Sequence, residues 1–88
     1  MDVNFGIYVF TTEFVIKGNS PVVYVAHDLD GDWQFLGEEN EVEEKDALLI
    51  SLGEMLEFDP TLQSILTLSI GQEAIRTEVG APWQINII

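Results

Sequence analysis

An Asp30-Gly31 pair between two runs of apolar and β-branched residues constrains the fold of this chain more than any other feature. Asp and Gly tolerate the positive φ of the two-residue turns that join antiparallel strands. The pattern therefore predicts a β-hairpin with strands at residues 22–27 and 33–36. This hairpin also contains the single histidine of the chain and one of its two tryptophans.

A two-residue loop would fix which side chains share a face of this hairpin. It places His27 opposite Gln34 and Ala26 opposite Phe35. Because side chains alternate along a strand, this pairing predicts the residues of each face of the hairpin. One face carries Tyr24, Ala26, Trp33 and Phe35, and the other carries Val23, Val25, His27, Gln34 and Leu36. Both faces are apolar at the base of the hairpin, which predicts a central position in a sheet.

Turn and capping signals organise the rest of the chain. Ser51-x-x-Glu54 predicts a capping box at the start of one helix, and Asp59-Pro60 ends that helix and begins another. Further β-prone segments lie at residues 5–10, 47–51, 72–79 and 83–88. Residues 1–88 are thus predicted to form a single α+β domain. Its sheet is antiparallel or mixed, with four to five strands, a central hairpin and two short helices on one face.

The charge of the chain restricts its partners. Sixteen acidic residues face only Lys17, Lys45 and Arg76, which gives a net charge of −13. Such a surface repels phosphate groups, so neither nucleic acid nor an anionic membrane is an expected partner. A basic protein would be attracted. Arg76, surrounded by so many carboxylates, is expected to form an internal ion pair.

Several features of the sequence predict the cellular compartment of the protein. The chain contains no cysteine, no apolar run of membrane-spanning length and no recognisable secretory signal at its N-terminus. The expected compartment is the cytoplasm, where disulfides are rare. No cofactor is predicted.

The tip of the hairpin holds the candidate site residues, namely His27, Asp28, Asp30, Asp32 and Trp33. The three aspartates and Glu39 have the spacing of ligands in a calcium-binding EF-hand loop. However, Trp33 stands where that loop needs glycine, and strands flank the segment, so no metal site is predicted. His27 and Asp28 are not expected to pair, since neighbours on a strand point to opposite faces. Trp33 suits a binding surface or the core.

The segment His27-Asp28-x-Asp30-Gly31-Asp32-Trp33-Gln34-Phe35-Leu36, with the later Asp59-Pro60-Thr61-Leu62 and Pro82-Trp83, resembles a family of short bacterial proteins of unknown function. The resemblance covers residues 21 to 83. Small acidic bacterial proteins of this general kind include immunity proteins of toxin systems, although these motifs assign no activity. Some members of this family carry Cys at the position after Leu36. This chain has Gly37 there, so the resemblance implies no metal or redox role at that position.

The final segment, residues 83–88, contains no charged side chain, and alternation places Trp83, Ile85 and Ile87 on one face. A strand of this kind at a sheet edge invites pairing with another chain. We therefore expect a homodimer through the C-terminal strand. The alternative is that Ile85 and Ile87 complete the core of a monomer.

Three functions remain open on the sequence alone. The favoured one is a non-enzymatic acidic binding protein, an immunity-type or regulatory partner of a basic protein. The second is an enzyme or a divalent-metal-binding domain that uses the hairpin residues His27, Asp28, Asp30 and Asp32. The third is a self-associating structural module.

Overall fold

Six strands form one mixed sheet in the computed structural model, which describes residues 5–39 and 42–88. In chain order the strands are Tyr8–Thr12 (β1), Tyr24–His27 (β2), Trp33–Leu36 (β3), Ala47–Ser51 (β4), Gln72–Ile75 (β5) and Gln84–Ile87 (β6). Their order across the sheet is β4-β1-β3-β2-β5-β6. Strands β1 and β3 are parallel, and the other neighbouring pairs are antiparallel. The predicted α+β class with a central hairpin is confirmed, with six strands where four to five were expected.

The helices are short, and two of them begin where the capping signals at Ser51 and Asp59 predict. They are α1 (Glu13–Ile16), α2 (Leu52–Phe58) and two 3₁₀ segments, Glu44–Asp46 and Pro60–Ile65. The Ser51 hydroxyl accepts a hydrogen bond from the backbone N–H of Glu54 at 3.1 Å, and the Asp59 carboxylate accepts one from Thr61 at 3.0 Å. In the described ranges, no helix has both the length and the apolar character needed to span a bilayer.

The core lies between one face of the sheet and the helices, as predicted. Alternate residues of the central strands point to this face, and the helices cover it with their own apolar side chains. The buried cluster consists of Val9, Val15, Val22, Val25, Trp33, Phe35, Leu52, Met55, Leu62, Ile65, Leu68 and Ala74. The opposite face of the sheet, which we call the open face, contributes none of these residues.

The predicted register of the hairpin is wrong by one residue. His27 lies opposite Trp33, and Ala26 lies opposite Gln34. The shift exchanges the faces of β3 relative to those of β2, because side chains alternate along a strand. The core face of the hairpin therefore carries Val25, His27, Trp33 and Phe35, whereas the open face carries Tyr24, Ala26, Gln34 and Leu36.

Local bonds of Asp28 explain the different register. Its Oδ1 accepts hydrogen bonds from the backbone N–H groups of Asp30 and Asp32, both at 3.0 Å, and its carbonyl accepts one from Gly31. These bonds stabilise a loop that is one residue longer than the predicted Asp30-Gly31 turn. Gly31 has a φ of 89°, so the predicted need for a positive φ at this position is confirmed.

Arg76 forms the predicted internal ion pair. Its guanidinium bonds to the Asp59 carboxylate at 2.9 Å, and the Arg76 side chain is only 1% exposed. The strand predicted over residues 72–79 ends at Ile75. The backbone N–H of Arg76 still bonds to the carbonyl of Val23, so this residue is anchored by both its backbone and its side chain.

Two adjacent threonines at the end of β1 predict opposite effects of the same substitution. The Thr11 hydroxyl is buried without a hydrogen-bond partner in the described structure, whereas the Thr12 hydroxyl caps α1 by accepting from the N–H of Val15. We expect Thr11→Val to stabilise the protein by about 1 kcal/mol, because an unsatisfied buried group is removed. Thr12→Val should destabilise it by about 1 kcal/mol through loss of the cap.

Urea unfolding of the two threonine variants provides the measurement. Each variant loses one hydroxyl and gains one methyl group, so each is the control for the other. A change of the same sign in both would contradict this account of the two hydroxyl groups.

Candidate functional site

The open face of the sheet contains a cleft of about 530 Å³. Strands β1 and β3 contribute Phe10, Gln34 and Leu36, whose side chains share this face because Phe10 lies opposite Gln34 in the parallel pair. Thr11 and Thr12 continue the lining. The base of the cleft is therefore mainly apolar, with one amide.

Two acidic segments flank this base. The hairpin loop contributes Asp28, Asp30 and Asp32, and the segment before β4 contributes Val42, Glu43 and Glu44, with Ala47 at the start of the strand. Among the residues that the structure describes, five carboxylates thus line the cleft, and no Lys, Arg or His does. This arrangement produces a negative potential over an apolar surface.

The three aspartates of the loop differ in what their carboxylates do. Besides its two backbone bonds, Asp28 accepts a hydrogen bond at Oδ2 from the amide of Gln34, at 3.2 Å. This carboxylate holds the loop in place. The carboxylates of Asp30 and Asp32 make no hydrogen bond or ion pair with the residues that the structure describes, and both side chains are exposed. They are the groups at this end of the cleft that are free to meet a ligand.

The other end of the cleft is partly neutralised by a neighbouring lysine. Lys45 Nζ lies 3.2 Å from Glu43 Oε2, and both side chains are largely exposed. Such a surface pair is weak because water screens it. A cationic ligand can therefore compete with Lys45 for the Glu43 carboxylate, and Glu44 adds a second acidic group beside it.

Not all of the site residues predicted from the sequence lie together. Asp28, Asp30 and Asp32 line the cleft, whereas His27 and Trp33 lie on the core face. Their rings stack at a centroid distance of 4.1 Å, and His27 Nδ1 is 2.9 Å from the carbonyl oxygen of Leu68. His27 does not pair with Asp28, as expected. Trp33 is 8% exposed and belongs to the buried cluster.

The four residues with calcium-loop spacing do not converge. Glu39 accepts a hydrogen bond from the Ser20 hydroxyl at 2.6 Å, and both oxygens of Asp28 accept hydrogen bonds from within the hairpin. Within residues 5–39 and 42–88, no group of three or more His, Cys, Asp or Glu side chains is placed to hold a metal ion.

Several residues of the cleft were not among the predicted site residues. Phe10 and Leu36 reach it through the parallel pairing of β1 with β3, which joins segments far apart in the sequence. Residues 42–44 belong to an acidic segment, and a high density of like charges is typical of a solvated connection between strands. Alternation within β1 and β3 was the one available signal, because it places Phe10, Gln34 and Leu36 together once the pairing is known.

A second polar pair on the open face lies outside the cleft. The Tyr24 hydroxyl donates a hydrogen bond to Glu73 Oε1 at 3.0 Å. Burial, the hydrogen bond and the charge of Glu73 all raise the pKa of Tyr24 above its usual value of 10.0. The phenol therefore stays protonated at neutral pH and remains a donor to Glu73.

Comparison with known proteins gives no independent guide to the cleft. No protein-family model matches the chain, and searches of curated proteins and of solved structures found no match. The resemblance of the hairpin motif to a short bacterial family remains a prediction.

Proposed function

We propose that this protein is a non-enzymatic binding domain whose acidic cleft holds a basic segment of a protein partner. The observation that carries this proposal is the lining of the cleft, where an apolar base lies between two groups of carboxylates and none of the described lining residues is basic. A binding role requires only this surface, and no covalent chemistry is assigned to the carboxylates.

The chemistry of the lining selects the ligand. Lys and Arg side chains have apolar stems and charged ends. Their stems would pack on Phe10 and Leu36, while their charged ends would meet Asp30 or Asp32 at one end and Glu43 or Glu44 at the other. Apolar residues between the basic ones would add contacts with the apolar base of the cleft. A segment with basic and apolar residues in alternation would therefore fit this surface better than a purely basic one.

The charge of the whole chain supports the same partner. At −13, the protein attracts a basic molecule over distances of about one Debye length, which is roughly 10 Å at 0.1 M salt. Complementary charge of this kind mainly accelerates association and rejects acidic competitors. A regulatory or immunity-type role, in which the domain occupies a basic surface of its partner, is the form of binding that this charge favours. The cysteine-free composition suits the cytoplasm.

The alternative of an enzyme or a divalent-metal domain gains no support from the hairpin. It needs His27 and Asp28 to act with Asp30 and Asp32, but His27 lies on the core face and the oxygens of Asp28 already accept hydrogen bonds. Self-association would involve a different surface, at the edge strand β6.

Calorimetric titration with two synthetic peptides tests the proposal. One peptide alternates Arg with Leu, and the other alternates Arg with Ser at the same net charge. We expect tighter binding of the Arg/Leu peptide, because only its apolar side chains gain from the base of the cleft. Raising the salt concentration from about 50 mM to about 300 mM should weaken the binding of both peptides.

Paired variants locate the binding site. Asp30→Asn with Asp32→Asn removes two exposed charges from the cleft, and we expect about tenfold weaker binding of the Arg/Leu peptide, at up to about 1 kcal/mol for each exposed ion pair. Glu57→Gln with Glu78→Gln removes two exposed charges elsewhere and is the matched control. Equal losses in the two double variants would contradict binding at the cleft.

A further inference from the structure

Strand β6 forms one edge of the sheet that the structure describes, and the backbone groups on its outer side bond to no described residue. The backbone N–H of Ile88 bonds to the carbonyl of Gly71, and the antiparallel register continues from Gln72–Ile87 to Ile75–Gln84. Because hydrogen-bonded pairs alternate in such a ladder, Gln84, Asn86 and Ile88 bond to β5. The N–H and C=O groups of Ile85 and Ile87 therefore point away from the sheet.

The same edge exposes large apolar side chains. Ile85 and Ile87 share the core face with Ala74 and Gln72, but both side chains remain exposed. The two isoleucines are 52% and 85% exposed, so the alternative in which they complete the core of a monomer is wrong. Contiguous exposed apolar surface on a folded protein marks an interaction site.

The exposed apolar surface formed by Ile85 and Ile87 continues around Gly71. The Leu29 side chain approaches Gly71, the Ile70 side chain approaches Gly31, and Ile88 is bonded to Gly71 through its backbone. Leu29, Ile70 and Ile88 are each at least half exposed. Free backbone groups and apolar side chains thus coincide at one end of the sheet.

Charge identifies the occupant of this edge. Residues 79–88 contain no charged side chain, although the chain as a whole has a net charge of −13. A basic partner would gain no ion pair from these residues, whereas a second copy can meet them without bringing carboxylates together. We propose that a second copy of this chain adds its β6 to this edge in antiparallel orientation, which joins two sheets into one.

The opposite edge does not suit the same contact. Strand β4 is preceded directly by the segment Glu44–Asp46 and followed by α2, whose first turn contains Glu54. Two copies that met at β4 would bring these carboxylates together, and like charges directly opposite one another destabilise strand pairing. Self-association is therefore assigned to β6 alone.

Two-fold symmetry fixes the register of the contact. In a symmetric dimer the same patch from each copy forms the interface. A two-fold axis at Asn86 places Ile85 of one copy opposite Ile87 of the other, so that their outward N–H and C=O groups pair. This contact lies away from the cleft lining and does not depend on the proposed function.

The response to salt separates this contact from binding at the cleft. Two chains of −13 repel each other, and salt screens that repulsion. Dimerisation should therefore strengthen as salt rises, whereas binding of a basic peptide at the cleft should weaken. Failure of one proposal leaves the other intact.

Sedimentation equilibrium of the full chain, from about 5 to about 200 µM and at about 50 and 500 mM NaCl, is the test. We expect a monomer–dimer equilibrium that shifts towards dimer at the higher salt. A chain that stays monomeric throughout this range, or a dimer that dissociates as salt rises, would overturn the proposal.

Matched variants identify the edge. Ile87→Lys places a charge in the proposed interface, and Leu49→Lys makes the same change at an exposed position of β4. We expect at least about tenfold weaker dimerisation for I87K and little change for L49K. Ile85→Pro removes an outward N–H that makes no bond within the sheet, and it should also yield monomer. Circular dichroism verifies folding, and equal dimerisation of I87K and L49K would refute the assignment to β6.

Discussion

Replacing Arg76 by Met is expected to destabilise the protein by about 3–5 kcal/mol, the largest effect we foresee for a single side chain. The Arg76 guanidinium bonds to Asp59 Oδ2 at 2.9 Å, and the two side chains are 1% and 10% exposed. Removing the cation leaves the Asp59 carboxylate buried and unpaired. For a domain of this size, such a loss is a large fraction of the total stability.

The other contacts of Arg76 add to this effect. Its Nε donates to the carbonyl of Val22, its Nη1 donates to the Thr61 hydroxyl, and its guanidinium lies 4.2 Å from the centroid of the Trp83 ring. One side chain thus connects the segment before β2, the start of the 3₁₀ helix and the segment before β6. Methionine can fill much of the volume but replaces none of these bonds.

Urea unfolding of three variants checks the Arg76 prediction. The double variant Arg76→Met with Asp59→Asn should recover part of the loss, because the unpaired charge is gone and Asn still caps the following helix. Lys17→Met breaks the exposed pair between Lys17 and Glu13 and should cost about 0.5 kcal/mol or less. A small loss in R76M, comparable with that in K17M, would contradict a structural role of the buried pair.

The second large effect is expected at Gly31, where valine should cost about 1–3 kcal/mol. The φ of Gly31 is 89°, a conformation that is costly for a β-branched residue. Space is not the reason, since a Cβ at this position would meet only the end of the Ile70 side chain at 3.8 Å. The expected loss is therefore backbone strain at the tip of the central hairpin.

Thermal unfolding of Gly31→Val and Gly31→Asn separates strain from crowding. Asparagine tolerates positive φ better than other residues with a side chain, so we expect a smaller loss in G31N. Unchanged stability of G31V would mean that the loop does not require its observed conformation. Equal losses in G31V and G31N would show that the backbone preference of the new residue does not matter.

The hairpin shows what local sequence signals can and cannot determine. Asp30-Gly31 gave its position, because few residue pairs other than these tolerate the backbone of a tight turn. Its register depended on the Asp28 side chain, whose carboxylate accepts two backbone N–H groups and lengthens the loop. The hydrogen bonds of Asp28 are local, and so are those of the two-residue turn with which they compete. The residue pattern does not show which of the two loops is lower in free energy.

The cleft was less accessible to prediction than the fold. Its aspartates were visible as a cluster, but its apolar base depends on the parallel pairing of Phe10 with Gln34 across distant segments. For Arg76, the sequence predicted an ion pair with a carboxylate but not which carboxylate. Asp59 was predicted only as a helix cap, although it also pairs with Arg76. The capping predictions therefore succeeded because a cap is a local contact, whereas contacts between distant segments determined the partner of Arg76 and the base of the cleft.

Amide chemical shifts recorded during titration with the Arg/Leu peptide give the most direct test of the acidic cleft. The proposal predicts the largest changes in the hairpin loop, in residues 34–36 and 42–44, and around Phe10, with little change along β6. A titration whose largest changes lie on β6 and around Gly71, with the cleft residues unaffected, would contradict it.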